Sequence, residues 1–263
     1  MHEFAFIFAG FVVGVVVGLT GVGGGSLMTP LLIFVFGIKP HLAIGTDLLF
    51  AAFTKMGGTV SLARARVVDW RIVGQMAAGS IPASLVTLYV LNRLGPANPA
   101  TQAVMTTTLG LALLLTALAT FYKALRGKAA PAKISADLLS EATRARHWAL
   151  PVLFGAVIGA LVTITSVGAG AIGVIVLMLL YPALPLPRIV AADIAHAVPL
   201  TLVAGLGHAS IGSVDWSLLT MLLAGSLPGI WLGAHLVHKT PDRVIRSLLS
   251  VLLAYAGVKL ISI

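Results

Sequence analysis

Long apolar runs separated by short polar stretches dominate this chain, and the first extends from Phe4 to Phe36 without a single Lys, Arg, Asp or Glu. A helix of about 20 apolar residues is long enough to cross a hydrocarbon core about 30 Å thick. Later runs such as "LGLALLLTALATF" do not alternate in polarity as the strands of a transmembrane barrel do. We predict six transmembrane helices, at residues 42–62, 70–92, 101–124, 187–209, 215–237 and 243–263. The predicted fold class is an all-α polytopic membrane protein.

The first apolar run is too long for one transmembrane helix. As a single helix its 33 residues would measure about 50 Å, well beyond the hydrocarbon core. In its middle stands "GLTGVGGGSLMTP", Gly18–Pro30, which contains five glycines. Glycine permits the backbone angles of a break and the close approach of a ligand. We therefore predict a broken segment that either folds back as a re-entrant hairpin or crosses the membrane twice.

The two halves of the sequence repeat each other. "TGVGGG" at Thr20–Gly25 aligns with "TSVGAG" at Thr165–Gly170 at a spacing of 145 residues. Further along the spacing becomes 146, where Asp47 aligns with Asp193 and the tripeptide "VDW" aligns with a second "VDW". Internal repeats of this kind are common in transporter folds. We predict a first transmembrane repeat at residues 1–125, a cytoplasmic linker at 126–147 and a second transmembrane repeat at 148–263.

The distribution of Lys and Arg predicts how the two repeats sit in the membrane. If each broken segment crossed once, the repeats would be parallel, with ten Lys and Arg residues in the cytoplasm and six outside. If each makes no net crossing, the repeats are inverted, thirteen lie inside and Lys39, Arg93 and Lys259 lie outside, with Lys55 left out of both counts because it falls within a span. The positive-inside rule favours inverted repeats with both termini outside and the polar linker in the cytoplasm. The charged middle of the linker, Asp137–Arg146, is predicted to form a short surface helix.

Composition excludes several classes of function. With 59% hydrophobic and 10% charged residues, the chain is too apolar for a soluble protein, and the lipid bilayer is its expected surrounding. The formal net charge of +9 comes without a basic cluster interleaved with aromatic residues, so we predict no nucleic-acid partner. The absence of cysteine removes disulfides, thiol chemistry and Cys-bound metal sites. No motif predicts a cofactor, a bound nucleotide or a metal ion.

The two glycine-rich breaks are predicted to form an anion-binding site. The half-helices after the breaks, from Ser26 and from Ala171, would point their N-terminal amides toward the membrane centre, where such ends attract an anion without any formal charge. Glycines also serve close helix packing, which we predict for Gly10, Gly14 and Gly18 because of their four-residue spacing. The predicted substrate-binding residues are Thr20, Gly21, Gly23, Gly24, Gly25, Ser26, Lys55, Thr165, Ser166, Gly168 and Gly170.

Ionisable side chains inside the predicted spans are functional candidates, because burying a charge in a membrane is costly. Asp47 and Asp193 occupy equivalent positions and are predicted to carry coupling protons; the alternative is that each caps the start of its helix. Lys55 either completes the anion site, is paired structurally, or extends to the membrane surface. His196 lies one turn after Asp193, so we expect the carboxylate to hold its imidazole for proton exchange. The Asp of each "VDW" motif is predicted to cap its helix beside an interfacial Trp.

The motifs, taken in order, resemble a known family. "GLTGVGGGSLMTPLL", "AIGTDLLFAAFTK", "TSVGAGAIG" and "DIAHAVPLTLVAGLGH" are similar to the TauE/SafE-type sulfite exporter family (TSUP). The resemblance covers nearly the whole chain apart from the linker. It implies transport of small sulfur-containing anions, such as sulfite, thiosulfate or organosulfonates, across a bacterial inner membrane.

Three classes of function stay open at this point. We expect a secondary transporter that works by alternating access and is driven by an ion gradient, with protons as the candidate coupling ion. The alternative is an intramembrane enzyme that uses Asp193, His196 and His208 as acid–base or metal-binding residues. Against it, His196 and His208 align with Phe50 and Leu62, so the duplication does not preserve them. A structural membrane subunit is the third class, and a homo-oligomer is compatible with all three.

Overall fold

The computed structural model describes residues 2–20, 25–126, 148–170, 172–236 and 242–262. Within these ranges the chain forms helices joined by short turns. The ten helices that the structure describes are α1 His2–Thr20, α2 Gly25–Phe34, α3 Pro40–Arg64, α4 Trp70–Leu94, α5 Pro99–Arg126, α6 Ala149–Thr165, α7 Ile172–Leu180, α8 Leu186–Ser210, α9 Trp216–Leu236 and α10 Asp242–Ile261. Apart from Arg126 at the end of α5, the predicted linker and its surface helix fall outside the described ranges.

Each of the six predicted spans coincides with one helix, to within two residues at each end. Four helices are long and apolar enough to cross a membrane by themselves, namely Trp70–Leu94, Pro99–Tyr122, Leu186–Ser210 and Trp216–Leu236. Large apolar side chains such as Leu118, Trp231 and Val251 are exposed on the outside of the bundle, where lipid would cover them. The prediction of an all-α, multi-pass membrane protein is confirmed.

Each long glycine-broken run forms two helices of unequal length. In the first half, α1 has 19 residues and α2 has 10. In the second half, α6 has 17 residues and α7 has 9. At 1.5 Å per residue the first helix of each pair is about 25–28 Å long and the second about half of that. A full-length helix followed by a half-length helix is thus the common plan of both halves.

The starts of α4 and α9 show why the "VDW" motif recurs. The side chain of Asp69 accepts hydrogen bonds from the backbone N–H groups of Arg71 and Ile72, at 3.1 and 3.4 Å. Asp215 accepts one from the N–H of Leu218 at 3.0 Å. A carboxylate in this position satisfies amides that have no partner inside the helix. The predicted N-cap role of both aspartates is confirmed.

Glycines set the closest helix contacts of the bundle. A methyl group added at Gly14 of α1 would overlap the backbone of Ser226 in α9, and one added at Gly159 of α6 would overlap the backbone of Ser80 in α4. The glycines in these two contacts are 145 residues apart and the serines are 146 apart. Gly10 and Gly18 meet the backbone of α9 in the same way, so the predicted packing role of the α1 glycines is confirmed.

The direction of each helix follows from which residues meet. Helices α3 and α8 run antiparallel, because Gly45 faces His208 while Gly205, earlier in α8, faces Leu49, later in α3. Helices α5 and α10 pack against each other and are also antiparallel, because Gly110 contacts the end of α10 while Gly257 reaches Leu114. In contrast, α1 runs parallel to α9 and α4 runs parallel to α6. Helices α8 and α9 are joined by only five residues, 211–215, and so short a loop makes consecutive helices antiparallel. Since α1 is parallel to α9, α9 opposes α8 and α8 opposes α3, the helices α1 and α3 point the same way.

Candidate functional site

The break between α6 and α7, which we call the second elbow (residues 165–170), is a tightly specified turn. Ser166 has a φ of 58°, a left-handed conformation that a non-glycine residue adopts rarely. Gly168 and Gly170 have φ values of +129° and +126°, which favour glycine. The hydroxyl of Thr165 accepts a hydrogen bond from the N–H of Val167 at 3.1 Å and so holds the turn. The side chain of Thr165 therefore stabilises the elbow by bonding to the backbone of the elbow.

Lys55 of α3 reaches the second elbow. The side chain is buried, with 7% of its surface exposed, and its ammonium donates a hydrogen bond to the carbonyl of Ala169 at 3.3 Å. The ammonium therefore lies inside the bundle rather than at the membrane surface, so the alternative of an extension to the surface is wrong. In the part of the chain that the structure describes, the amides of Gly168 and Ala169 donate no hydrogen bond. The second elbow thus contacts the ammonium of Lys55 and has two amides that could donate hydrogen bonds.

Two buried carboxylates lie within electrostatic range of Lys55. Asp47 lies on α3 and Asp193 on α8, and both interact electrostatically with the ammonium. Thr29 of α2 donates a hydrogen bond to Asp47. Asp193 lies so close to the start of α7 that a methyl group added at Gly173 would overlap its carboxylate. The two acids that the sequence singled out are therefore brought to the same cation.

Neither acid caps the helix in which it lies. Helix α3 begins at Pro40 with Lys39 as its N-cap, and α8 begins at Leu186 with Pro185 as its N-cap. Asp47 and Asp193 both lie two turns inside their helices, where the backbone amides already bond within the helix. The capping alternative is wrong for both residues.

His196 does not pair with Asp193 as predicted. Its Nε2 atom lies 2.8 Å from the hydroxyl of Ser80 on α4. Its Nδ1 atom is buried and has no hydrogen-bond partner within the described ranges. A spacing of three residues places two side chains on one helix face, but a serine of a neighbouring helix occupies the position that we assigned to the carboxylate. The expected His–Asp pair is a wrong prediction.

His208 lies apart from this site. Its Nε2 atom bonds to the carbonyl of Thr163 at 2.9 Å, and twelve residues of helix separate it from His196, a rise of about 18 Å. Among the described residues no group of three His, Cys, Asp or Glu side chains is placed to hold a metal ion. Asp193, His196 and His208 therefore do not form the single cluster that the enzyme alternative requires.

The break between α1 and α2, which we call the first elbow (residues 20–25), is only partly described. Thr20 ends α1, and Gly25 and Ser26 begin α2, whereas Gly21, Gly23 and Gly24 fall outside the described ranges. The predicted residues that the structure brings together lie around the second elbow: Asp47, Lys55, Thr165, Ser166, Gly168, Gly170 and Asp193.

Sequence reasoning missed two residues of this region, Thr29 and Ser80. Thr29 stands in an apolar half-helix and bonds to an acid 18 residues away, a contact that no local pattern indicates. For Ser80 a signal exists, because "GSIP" at Gly79–Pro82 recurs as "GSLP" in the second half. A polar residue kept in both copies of an apolar helix is a reason to look for its partner.

Comparison with known proteins agrees with this architecture. The family model described as sulfite exporter TauE/SafE matches residues 6–260. The chain is 36% identical to the probable membrane transporter protein YjnA of Bacillus subtilis (strain 168), over 97% of this chain and 98% of that protein. It is 29% identical to the probable membrane transporter protein YdhB of the same strain, over 95% and 97%. No solved structure matches the chain. The match over nearly its whole length shows that the chain belongs to the TauE/SafE sulfite exporter family.

Proposed function

We propose that this protein is a secondary transporter that carries a small sulfur-containing anion, such as sulfite, thiosulfate or an organosulfonate, across the bacterial inner membrane. The observation that carries the proposal is the buried ammonium of Lys55 at the second elbow. The family supports a transporter. The site supports an anion, because a cation and unpaired amides inside a membrane protein form charge-assisted hydrogen bonds with an oxyanion.

The two carboxylates give the proposed transporter a means of coupling. With Asp47 and Asp193 both ionised, the formal charge of these acids and Lys55 together is negative, so an arriving anion meets net repulsion. Uptake of a proton by one carboxylate removes that repulsion and leaves Lys55 free to bind the anion. Anion and proton would then bind together, and the proton gradient would drive transport.

We also propose that the two halves are inverted repeats that rock around this site. Equivalent helices of the two halves, α3 with α8 and α5 with α10, contact each other and run antiparallel. A two-fold axis in the membrane plane produces this relation, whereas an axis along the membrane normal would make equivalent helices parallel. The parallel directions of α1 and α3 also support a broken segment without net crossing. Inverted repeats that meet at broken helices support alternating access.

Labelling of single cysteines tests the inverted arrangement, and the natural chain contains no cysteine that would interfere. Cysteines introduced at Ala136 and Lys239 should react with an impermeant maleimide only from the cytoplasmic side, and a cysteine at Asn98 only from outside. Inside-out and right-side-out vesicles give the two directions of access. Reaction of positions 136 and 239 from opposite faces would contradict inverted repeats.

Flux of radiolabelled thiosulfate and sulfite into proteoliposomes tests the function. We expect uptake above that of protein-free liposomes, and stimulation by an imposed proton gradient that a protonophore abolishes. Replacement of Asp47 or Asp193 with Asn should remove the response to the gradient, because Asn carries no exchangeable charge. Absence of flux for both anions with a folded parent protein would refute transport of these anions. Flux through the parent protein that does not change with the proton gradient would refute proton coupling but not transport.

A further inference from the structure

We propose that His196 is a substrate-binding residue whose Nδ1–H donates a hydrogen bond to the oxyanion held at Lys55, and that Ser80 positions the imidazole for this task. The inference rests on the proposed function, because it assigns one more ligand to the same anion. It gives His196 a role different from the proton exchange that its sequence position suggested.

The location of His196 supports a role in the site. The side chain is 1% exposed and lies on the same face of α8 as Asp193. The ammonium of Lys55 is within electrostatic range of the imidazole. A buried polar atom without a partner is rare in folded proteins, and Nδ1 of His196 is such an atom among the described residues. An acceptor that arrives with the substrate would satisfy it.

The bond between Ser80 and His196 allows two positions of the imidazole proton. Ser80 is fully buried and makes no other hydrogen bond within the described ranges. If Nε2–H donated to Ser80, the hydroxyl proton of the serine and the lone pair of Nδ1 would both lack partners. If the hydroxyl of Ser80 donates to Nε2, the Nδ1–H and the lone pairs of the serine oxygen lack partners. Each arrangement leaves one donor and one acceptor unsatisfied, but only the second leaves the donor on Nδ1, where an arriving oxyanion would satisfy it.

The first half of the chain lacks this arrangement. The equivalent of His196 is Phe50, which is fully buried, and the equivalent of Ser80 is Ser226. The hydroxyl of Ser226 donates to the carbonyl of Leu223 in its own helix at 3.3 Å. The serine is thus present in both halves, but of the two only Ser80 bonds to an imidazole in the described ranges.

Lys55 also has no charged counterpart in the other half of the chain. Its equivalent in the second half is Thr201, whose hydroxyl bonds to the carbonyl of Ala197 in its own helix at 2.8 Å. The cation from the first half and the imidazole from the second half therefore act together. A neutral N–H beside an ammonium adds a donor for a second oxygen of the anion without adding charge, which suits an oxyanion with several acceptor oxygens.

Two replacements of His196 test the donor directly. His196→Phe installs the residue of the first half and keeps a buried ring, whereas His196→Asn keeps an amide N–H near the position of Nδ1. We expect the Phe variant to bind radiolabelled thiosulfate and sulfite about ten- to a hundredfold more weakly than the parent, and the Asn variant to recover most of that loss. Equilibrium binding and thermal unfolding are measured on the same purified samples.

A matched pair of serine variants tests the positioning role. Ser80→Ala and Ser226→Ala remove one buried hydroxyl from equivalent positions in the same motif, so a general packing effect would weaken both. We expect Ser80→Ala to weaken anion binding about three- to tenfold and Ser226→Ala to leave it unchanged.

The outcomes separate the inference from the function on which it rests. A parent protein that binds neither anion would refute the proposed substrates. A parent that binds, together with a folded His196→Phe variant of equal affinity, would refute the role of His196 and leave the function standing. If the Phe variant does not fold, the serine pair decides, and parental affinity in Ser80→Ala would overturn the proposal.

Discussion

Replacement of Lys55 with Met should reduce anion affinity by roughly a hundredfold or more. Methionine has a similar length but no charge, so the substrate would lose a charge-assisted hydrogen bond, a loss of about 1.5–3 kcal/mol. The carboxylates of Asp47 and Asp193 would lose their shared counter-charge, and an incoming anion would meet them directly. Both effects act in the same direction, which makes this the largest expected effect on binding.

The experiment is equilibrium binding of radiolabelled thiosulfate to the purified protein, with thermal unfolding followed on the same sample. Lys55→Arg is the matched control, because it keeps the positive charge at the second elbow and should retain much more affinity than the Met variant. The double variant Lys55→Met/Asp193→Asn should bind better than Lys55→Met alone, since it removes one of the repelling carboxylates. A folded Lys55→Met protein with parental affinity would show that the anion binds elsewhere.

Much of the fold could be predicted because it depends on length and local chemistry. The bounds of six long helices follow from apolar runs of the right length, and the breaks follow from runs too long for one helix. The caps at Asp69 and Asp215 follow from a short polar motif at the start of each apolar run. In a membrane, these local signals are strong because every backbone amide needs a partner within its own segment.

The members of the candidate site were also predictable, since charged residues inside apolar spans are rare and costly. Lys55, Asp47 and Asp193 were selected on that ground, and the structure places both carboxylates within electrostatic range of the ammonium. The alternative that Asp47 and Asp193 cap their helices was wrong, because both lie two turns beyond the helix starts. The prolines at Pro40 and Pro187 mark the true starts, as proline is favoured in the first turn of a helix.

The pairings inside the site could not be predicted from the sequence. The bond between Ser80 and His196 joins residues 116 positions apart. It depends on how α4 packs against α8, which a helix period does not reveal. The period showed that His196 and Asp193 share a face, but which neighbour bonds the imidazole is decided by the packing of the other helices.

Replacement of Gly10 with Leu should prevent the protein from folding. A methyl group at Gly10 would already overlap the backbone of Leu222 in α9, and a backbone cannot move aside as a flexible side chain can. Helices α1 and α9 would have to separate. The loss of stability would exceed the loss of about 1–3 kcal/mol that overpacking of a core usually causes. Expression, size-exclusion behaviour and the thermal midpoint of the purified protein measure the effect.

Gly58 provides the matched control for this replacement, because it also lies within a helix but has open space where a side chain would go. Gly58→Leu should be neutral or more stable by up to about 1 kcal/mol, since leucine favours a helix more than glycine does. Gly155 lies 145 residues after Gly10 and meets the backbone of Met76 in the same way, so Gly155→Leu should fail like Gly10→Leu. A parental thermal midpoint in either variant would contradict the close contacts of α1 with α9 or of α6 with α4. Equal loss of thermal stability in all three variants would instead mean that leucine at any helical glycine destabilises this protein. That outcome would contradict a specific role of the two contacts.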